Sequence, residues 1–502
     1  MLAMQCSSSG SAAQGATRRQ ARHRARSPSS ALALVFRAAF AGSLALAACA
    51  RHDAPGHSTQ GHAAPPATTN EAPPPPAAAT TEKQGLPWYE DAPDAAFAAA
   101  RAAGKLVLID LWAPWCHSCL SMQSFVLTAA NFPALTQRFV LLAIDTERAE
   151  NAEFLRSLPV SVWPTFYVTD PDRAVLGRWL GTAAPAQFAR FLAESDRSAE
   201  LRGSAQLPAN DPRVPLGVAD QQATRGEFRE AAASYARALA LAPADWPRRS
   251  ETLVAQITML SKAGEQRACL ELAGSSLAQI GTSMSAVDFS SHALGCAESA
   301  PPADALAASV RQAAEQTLRG ICLAERSELT PDDQADGCAN LAEARSALGN
   351  EAGARAALEQ RLAILQRAEA GKPDALAVAL DWALTDTLIS LGRAQEAADL
   401  AARRERALPD NYNPPHYLAK AYKALGRNDE GLAALERALR LAYGPRRISL
   451  LSLKADLLLA AGRKDEARQV VADQLAQYRA LPEGQRSPAR EKQVEQRLAS
   501  WR

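Results

Sequence analysis

Near residue 198 the hydrophobic pattern of the chain changes period, and that break limits what the chain can fold into. Ahead of it, short apolar runs such as LVLIDL (106–111) and FVLLAID (139–145) alternate with helical stretches and turns, as in a mixed α/β unit. Beyond it strand signals vanish. Amphipathic Ala/Leu/Arg/Glu segments then repeat to the C-terminus, punctuated by Gly226, Gly264, Gly349, Gly392, Gly426 and Gly462. The last three glycines are 34 and 36 residues apart, a spacing that marks helical hairpins stacked into an all-α solenoid. A length of 502 residues likewise calls for at least two hydrophobic cores.

Within the first unit, order is expected from about Pro87-Trp88. PDAAFAAARAAGK (93–105) reads as a helix stopped at Gly104, and 106–111 and 139–145 read as strands. TFYVTD (165–170) and AVLGRW (174–179) form a hairpin around a PDR turn, and PAQFARFLAES (185–195) closes the unit as a helix. Between the first strand and the next helix sits LWAPWCHSC, residues 111–119. At a helix start the Cys116 sulfur meets free backbone N–H groups and the positive end of the helix dipole, which favour the thiolate. Cys119, one turn on, can resolve a mixed disulfide formed there. Two other uses of this stretch stay open. It is half a zinc site, although no second C-x-x-C or His pair follows at finger spacing; or it is a copper-handling thiol site made by Cys116, His117 and Cys119.

A C-x-x-C after a strand and at a helix start resembles the thioredoxin family, and so does DLWAPWC (110–116). The resemblance extends over 87–197 and implies a thioredoxin-like α/β fold with Cys116 as nucleophile and Cys119 as resolver. It makes Asp110 the buried acid that moves protons for Cys119. VWPTF (162–166) resembles the family's substrate loop. There Pro164 would be cis against the cysteines, its neighbour's backbone would pair with an extended client, and Trp163 and Trp115 would border the substrate surface. Trp112 and Trp115 read as packing rather than catalytic residues. No cofactor and no resident metal are implied. The departures are His117-Ser118 between the cysteines, bulky Trp163 before Pro164, and Leu120 and Leu141 where many relatives carry lysine. His117 beside the thiolate is expected to stabilise the reduced form and make the couple more oxidising. The lead-in helix resembles the periplasmic thioredoxin-like branch.

After a linker at 198–214, residues 215–480 resemble tetratricopeptide repeats, with a helical tail at 481–502. GEFREAAASYARALALAP (226–243) and YLAKAYKALGRNDEGLAALERAL (417–439) carry the repeat's glycine, alanine and tyrosine positions. The stretch 265–345 matches poorly and reads only as helical hairpins; six or seven hairpins fit in all. Such an array implies an unidentified protein or peptide on its concave face, or a spacer. The basic run ARRERALPD (401–409) reads as a solvated helix face. Cys269, Cys296, Cys322 and Cys338 allow three pairings. The local choice on antiparallel neighbouring helices is Cys269–Cys296 with Cys322–Cys338; small buried thiols are the alternative.

Residues 1–48 read as a signal peptide: six arginines and no acid, then the short apolar run AAFAGSLALAA (38–48). Eleven residues make about 16 Å of helix, too short for a bilayer core of about 30 Å. LAAC (46–49) resembles the bacterial lipobox, implying a lipid on Cys49, an envelope location facing the periplasm, and, from Ala50, the outer membrane rather than the inner. An ordinary signal peptide is the alternative. Residues 49–86, with PPPP at 73–76, read as an extended Pro/Ala-rich tether. Its His52, His57 and His62 read as solubilising residues, with metal capture as the alternative. Removing the six leader arginines from the 55 basic side chains leaves 49 against 54 acids, a net charge of about −5. A basic face for nucleic acid is not indicated. Two functions remain: a tethered thiol–disulfide oxidoreductase with a docking array, or an envelope scaffold whose redox domain is regulatory or vestigial.

Overall fold

The computed structural model describes residues 80–501 apart from 159, 161, 203–206 and 326–327. The expected leader, Cys49 and most of the tether therefore lie outside the described residues. β1 (Thr81–Lys83) pairs antiparallel with β2 (Leu86–Glu90), matching Thr81 to Trp88. The sheet thus begins six residues before the expected boundary at Pro87. A polar TEK edge strand carries no apolar alternation to announce it.

α1 (Pro93–Ala103) follows, then β3 (Leu106–Trp112), α2 (His117–Ser121), α3 (Leu135–Arg138), β4 (Phe139–Asp145), α4 (Ala152–Ser157), β5 (Thr165–Thr169), β6 (Val175–Leu180) and α5 (Pro185–Arg202). α2 runs directly into a π-helical turn, Met122–Val126. The strand order is β1-β2-β4-β3-β5-β6, with β2, β4 and β3 parallel and β5 and β6 antiparallel. β3 and β4 are apolar almost throughout because helices cover both faces of the sheet. Leu106 and Leu108 face Met122, Phe166 and Phe188 on one side. Val107, Ile109 and Leu111 face Phe97, Leu142 and Tyr167 on the other. Asp110 shares the parity of Leu106 and Leu108, so it lies on the face that the cysteine-bearing helix covers. α5 reaches Arg202, into the expected linker.

The remaining described chain is helical and pairs into seven hairpins. These are α6 (Arg213–Thr224) with α7 (Phe228–Leu241), α8 (Arg249–Lys262) with α9 (Gln266–Ser276), and α10 (Met284–Glu298) with α11 (Ala305–Cys322). α12 (Pro331–Ala347) and α13 (Glu351–Glu369) follow, and after the short α14 (Asp374–Ala377) come α15 (Asp381–Ser390) with α16 (Ala394–Ala407). α17 (Asn413–Ala424) with α18 (Asn428–Leu441) and α19 (Gly444–Ala460) with α20 (Lys464–Ala480) complete the array, and α21 (Pro488–Ala499) closes it. Each glycine of the sequence period turns one hairpin with φ between 71° and 78°. The residue after it donates back into the helix, as in Arg427 N–H to the Tyr422 carbonyl, the wrapped ending that favours glycine. Ala231, Ala238, Ala419, Ala438 and Tyr235 are buried between helices, so the small residues set the close approach.

The poorly matching stretch differs physically. The α10–α11 turn lacks the glycine and uses Asp304, which caps α11 through Leu306 and Ala307 N–H. There, disulfides Cys269–Cys296 and Cys322–Cys338 join α9 to α10 and α11 to α12. Opening either by a paired Cys→Ser change should cost about 3 kcal/mol of unfolding free energy through the freed unfolded chain. Chemical denaturation measures this; an unmoved midpoint, or four alkylatable thiols in the native protein, would contradict the pairing.

The helical array packs on the loops after β3 and β4. Asn413 Nδ2 donates to the Pro114 carbonyl at 2.7 Å, and Tyr443 Oη donates to Asp145 Oδ2 at 2.5 Å. Gln485 Nε2 donates to the Thr146 and Arg148 carbonyls at 3.0 and 2.9 Å.

Candidate active site

β3 ends at Trp112, and a tight turn delivers Cys116 as the N-cap of α2, its Sγ accepting the Cys119 N–H at 3.0 Å. Cys116 and Cys119 form a disulfide, 3% and 0% exposed. Ala113, Trp112, Trp115 and Trp163 pack around them. Ser118 Oγ lies 3.3 Å from Cys116 Sγ and donates to the Trp163 carbonyl at 3.4 Å. That bond ties the motif to the loop carrying Pro164, whose peptide bond with Trp163 is cis. Trp163 Nε1 donates to Thr146 Oγ1 at 2.9 Å. The substrate-loop residues and the cysteines thus converge although 45 residues separate Ser118 from Trp163.

Asp110 is buried beneath this helix; Gln123 Nε2 donates to its Oδ2 at 2.9 Å, while Oδ1 has no partner. Burial pushes its carboxyl up to about 7, with Gln123 and Lys83 pulling the other way. A carboxyl poised there can give or take a proton near neutral pH.

The solenoid supplies a second ring of contacts that the sequence did not announce. His117 Nδ1 lies 3.1 Å from Asp332 Oδ2, and its ring stacks on Trp382 with centroids 4.2 Å apart. Burial alone would lower the His117 pKa, but Asp332 and Asp336 outweigh it and raise it, so the cationic form is favoured. Trp115, expected on the substrate surface, is held by the array as well. Its Nε1 donates to Glu147 Oε1 at 2.7 Å, and the Arg446 guanidinium lies 5.5 Å from its ring centre. Glu147 Oε2 accepts the Arg446 backbone N–H, and burial pushes this carboxyl up to about 7. Ser121 Oγ pairs with Thr330 Oγ1 at 3.4 Å. The helical array therefore forms one wall of the site rather than a separate arm.

None of these solenoid residues carried a usable sequence signal. In PDDQADG (331–337), Thr330 caps α12 and Pro331 starts it, so acidic residues there look like ordinary N-terminal charges. Leu141 is buried in the sheet, where a lysine could not easily keep its charge.

Residues 93–195 match the family model described as a thioredoxin-like domain. No curated protein matches the chain. Among solved structures, a tetratricopeptide repeat protein from Parabacteroides merdae aligns at 14% identity over 57% of this chain and 98% of that one, with a TM-score of 0.37. The MamA protein of AMB-1 aligns at 21% identity over 37% and 94%, with a TM-score of 0.23. The TPR2AB domain of yeast Sti1, solved as an HSP90 complex, aligns at 12% identity over 58% and 97%, with a TM-score of 0.21. With its own sheet order and its period of glycine-turned hairpins, the chain is a thioredoxin-like domain followed by an all-α array of tetratricopeptide-like repeats.

Proposed function

We propose that this chain is a thiol–disulfide oxidoreductase, exported and held in the bacterial envelope by a lipid on Cys49. The observation that carries the chemistry is the convergence of Cys116, Cys119, Asp110 and cis-Pro164 at the end of β3. In the reduced protein the Cys116 thiolate attacks a client disulfide, forming a mixed disulfide and releasing one client thiolate. Asp110 accepts the Cys119 proton. The Cys119 thiolate then attacks Cys116 Sγ, closing the Cys116–Cys119 disulfide and releasing the second client thiolate. The client gains two electrons and the chain loses two, so a thiol reductant must reopen the pair. Clients are proteins bearing disulfides, and the tetratricopeptide-like array binds a further protein or peptide.

The testing experiment traps the intermediate. With Cys119→Ala, a disulfide-bonded model protein should remain covalently attached at Cys116, read by mass after acid quenching. Absence of the adduct while Cys116 is alkylatable sinks the mechanism.

The raised Asp110 value gives a pH signature. Its folded pKa of about 7 lies above the ordinary 3.8, so folding prefers the protonated form. The penalty for ionising it is absent below about pH 4, grows through the interval and is complete above about pH 7. The rise from 3.8 to about 7 corresponds to on the order of 3–5 kcal/mol. Asp110→Asn, which can still accept from Gln123, should therefore be more stable than wild type at pH 8 and no more stable near pH 3. It should also slow resolution by Cys119 and remove the pH–rate break near 7. Equal stability differences at both pH values would contradict the buried, raised carboxyl.

A second reading has one observation in its favour. Cys116 is 3% exposed, and its neighbours His117 and Trp115 are held by the solenoid. That arrangement suits a scaffold whose redox state reports to the array.

A further inference from the structure

His117 enters the solenoid from the thioredoxin-like domain and meets Asp332 and Asp336 on α12. One potential ligand atom from each of the three lies within 4.8 Å of the other two. The surroundings are short of positive charge. Asp332, Asp333 and Asp336 are 0%, 0% and 2% exposed. Facing them are the His117 ring and Arg361, whose NH2 is 3.5 Å from Asp336 Oδ1. Arg361 is shared, since its NH1 donates to Asp386 Oδ2 at 3.0 Å. Asp332 Oδ1 and Asp336 Oδ2 are buried with no hydrogen-bond partner at all. Buried carboxylates without donors are costly unless they are neutralised or coordinate a cation.

We propose that His117, Asp332 and Asp336 bind one divalent first-row transition-metal cation that pins the solenoid to the redox motif. An imidazole nitrogen with two carboxylate oxygens is a donor set for zinc or manganese rather than for calcium, which takes oxygen ligands in larger number. Three protein ligands leave further positions for water. Arg361 then pairs with the outer oxygen of Asp336, orienting that ligand from behind. Trp382, stacked on the imidazole, fixes the ring plane. The ligands come from positions 215 and 219 residues apart in sequence, so no spacing motif could have disclosed them. Cys116 and Cys119 contribute nothing to this set, and the site stands whether or not the couple turns over.

The test uses the full mature chain with its disulfides closed and His52, His57 and His62 changed to Ala, so that tether histidines do not compete. Titration with Zn²⁺ or Mn²⁺ alone, followed by calorimetry and by metal-dependent thermal shift, should show one bound equivalent. Asp332→Asn, Asp336→Asn and His117→Gln should each weaken binding by 10-fold or more, while far-UV circular dichroism verifies folding. Because His117 lies on the thioredoxin-like domain and the aspartates on the solenoid, a folding defect in one variant leaves the others to decide. Stoichiometric binding that survives all three changes, sensitivity to only one of them, or no binding of either metal overturns the proposal.

Discussion

Cys116→Ser is expected to lower disulfide-exchange turnover by at least about 10³-fold while leaving the protein folded. A hydroxyl is a far poorer nucleophile than a thiolate toward a disulfide sulfur, and an S–O linkage cannot replace the mixed disulfide. The fold should tolerate the change for a reason visible at the same atom. Cys116 Sγ accepts the Cys119 N–H as the N-cap of α2, and serine is among the strongest N-cap residues. The variant should therefore melt near wild type once the lost Cys116–Cys119 link, which closes a very short loop, is allowed for. Turnover of a disulfide-bonded model protein under excess dithiol measures the effect. Wild-type rates in the serine variant would remove Cys116 from the mechanism.

The second large effect concerns the wall that the solenoid builds. Gly444 opens α19 with φ +56°, and a Cβ placed there would lie 2.0 Å from the Glu147 carbonyl oxygen. The obstacle is backbone, so it cannot swing away as a flexible side chain would. Gly484 repeats the arrangement, its Cβ falling 2.3 Å from the Ala152 carbonyl oxygen. Gly444→Ala should force the array off the loop after β4, at a cost of roughly 2–4 kcal/mol from overpacking and left-handed backbone. Glu147 holds Trp115, so the disturbance reaches the motif directly. Alkylation of Cys116 in the reduced protein should accelerate 10-fold or more, and the melting temperature should fall. Unchanged alkylation would mean that the array does not control access to the sulfur.

What the sequence disclosed and what it withheld follow from the range of the interactions. FVLLAID became β4 with the same bounds, because a fully apolar seven-residue run buried on two faces has few alternatives. The glycine period was readable because each turn is closed locally by its own helix. It failed at α10–α11, where Asp304 caps in place of a glycine and two disulfides staple the neighbouring helices. Cys116, Cys119, Asp110 and Pro164 were legible as a motif. Their surroundings were not: Asp332 and Trp382 at His117, and Arg446 at Trp115, come from the far half of the chain. A tryptophan assigned to a client surface by resemblance also packs against that half. Charged residues at a helix start have a local use, and only tertiary structure reveals a second one.

The most direct test of this redox mechanism is the equilibrium between Cys116 and Cys119 in glutathione buffers, with trapped thiols counted by mass and assigned by position. One two-electron transition confined to this pair is expected, at a potential above the roughly −270 mV of thioredoxin, because positive charge at the neighbouring His117, carried by the imidazolium that Asp332 favours or by a cation bound there, favours the thiolate. Cys269, Cys296, Cys322 and Cys338 should stay paired across the same range, as buried structural disulfides do. A Cys116–Cys119 bond that never opens, or thiols that first appear in the helical array, would contradict it.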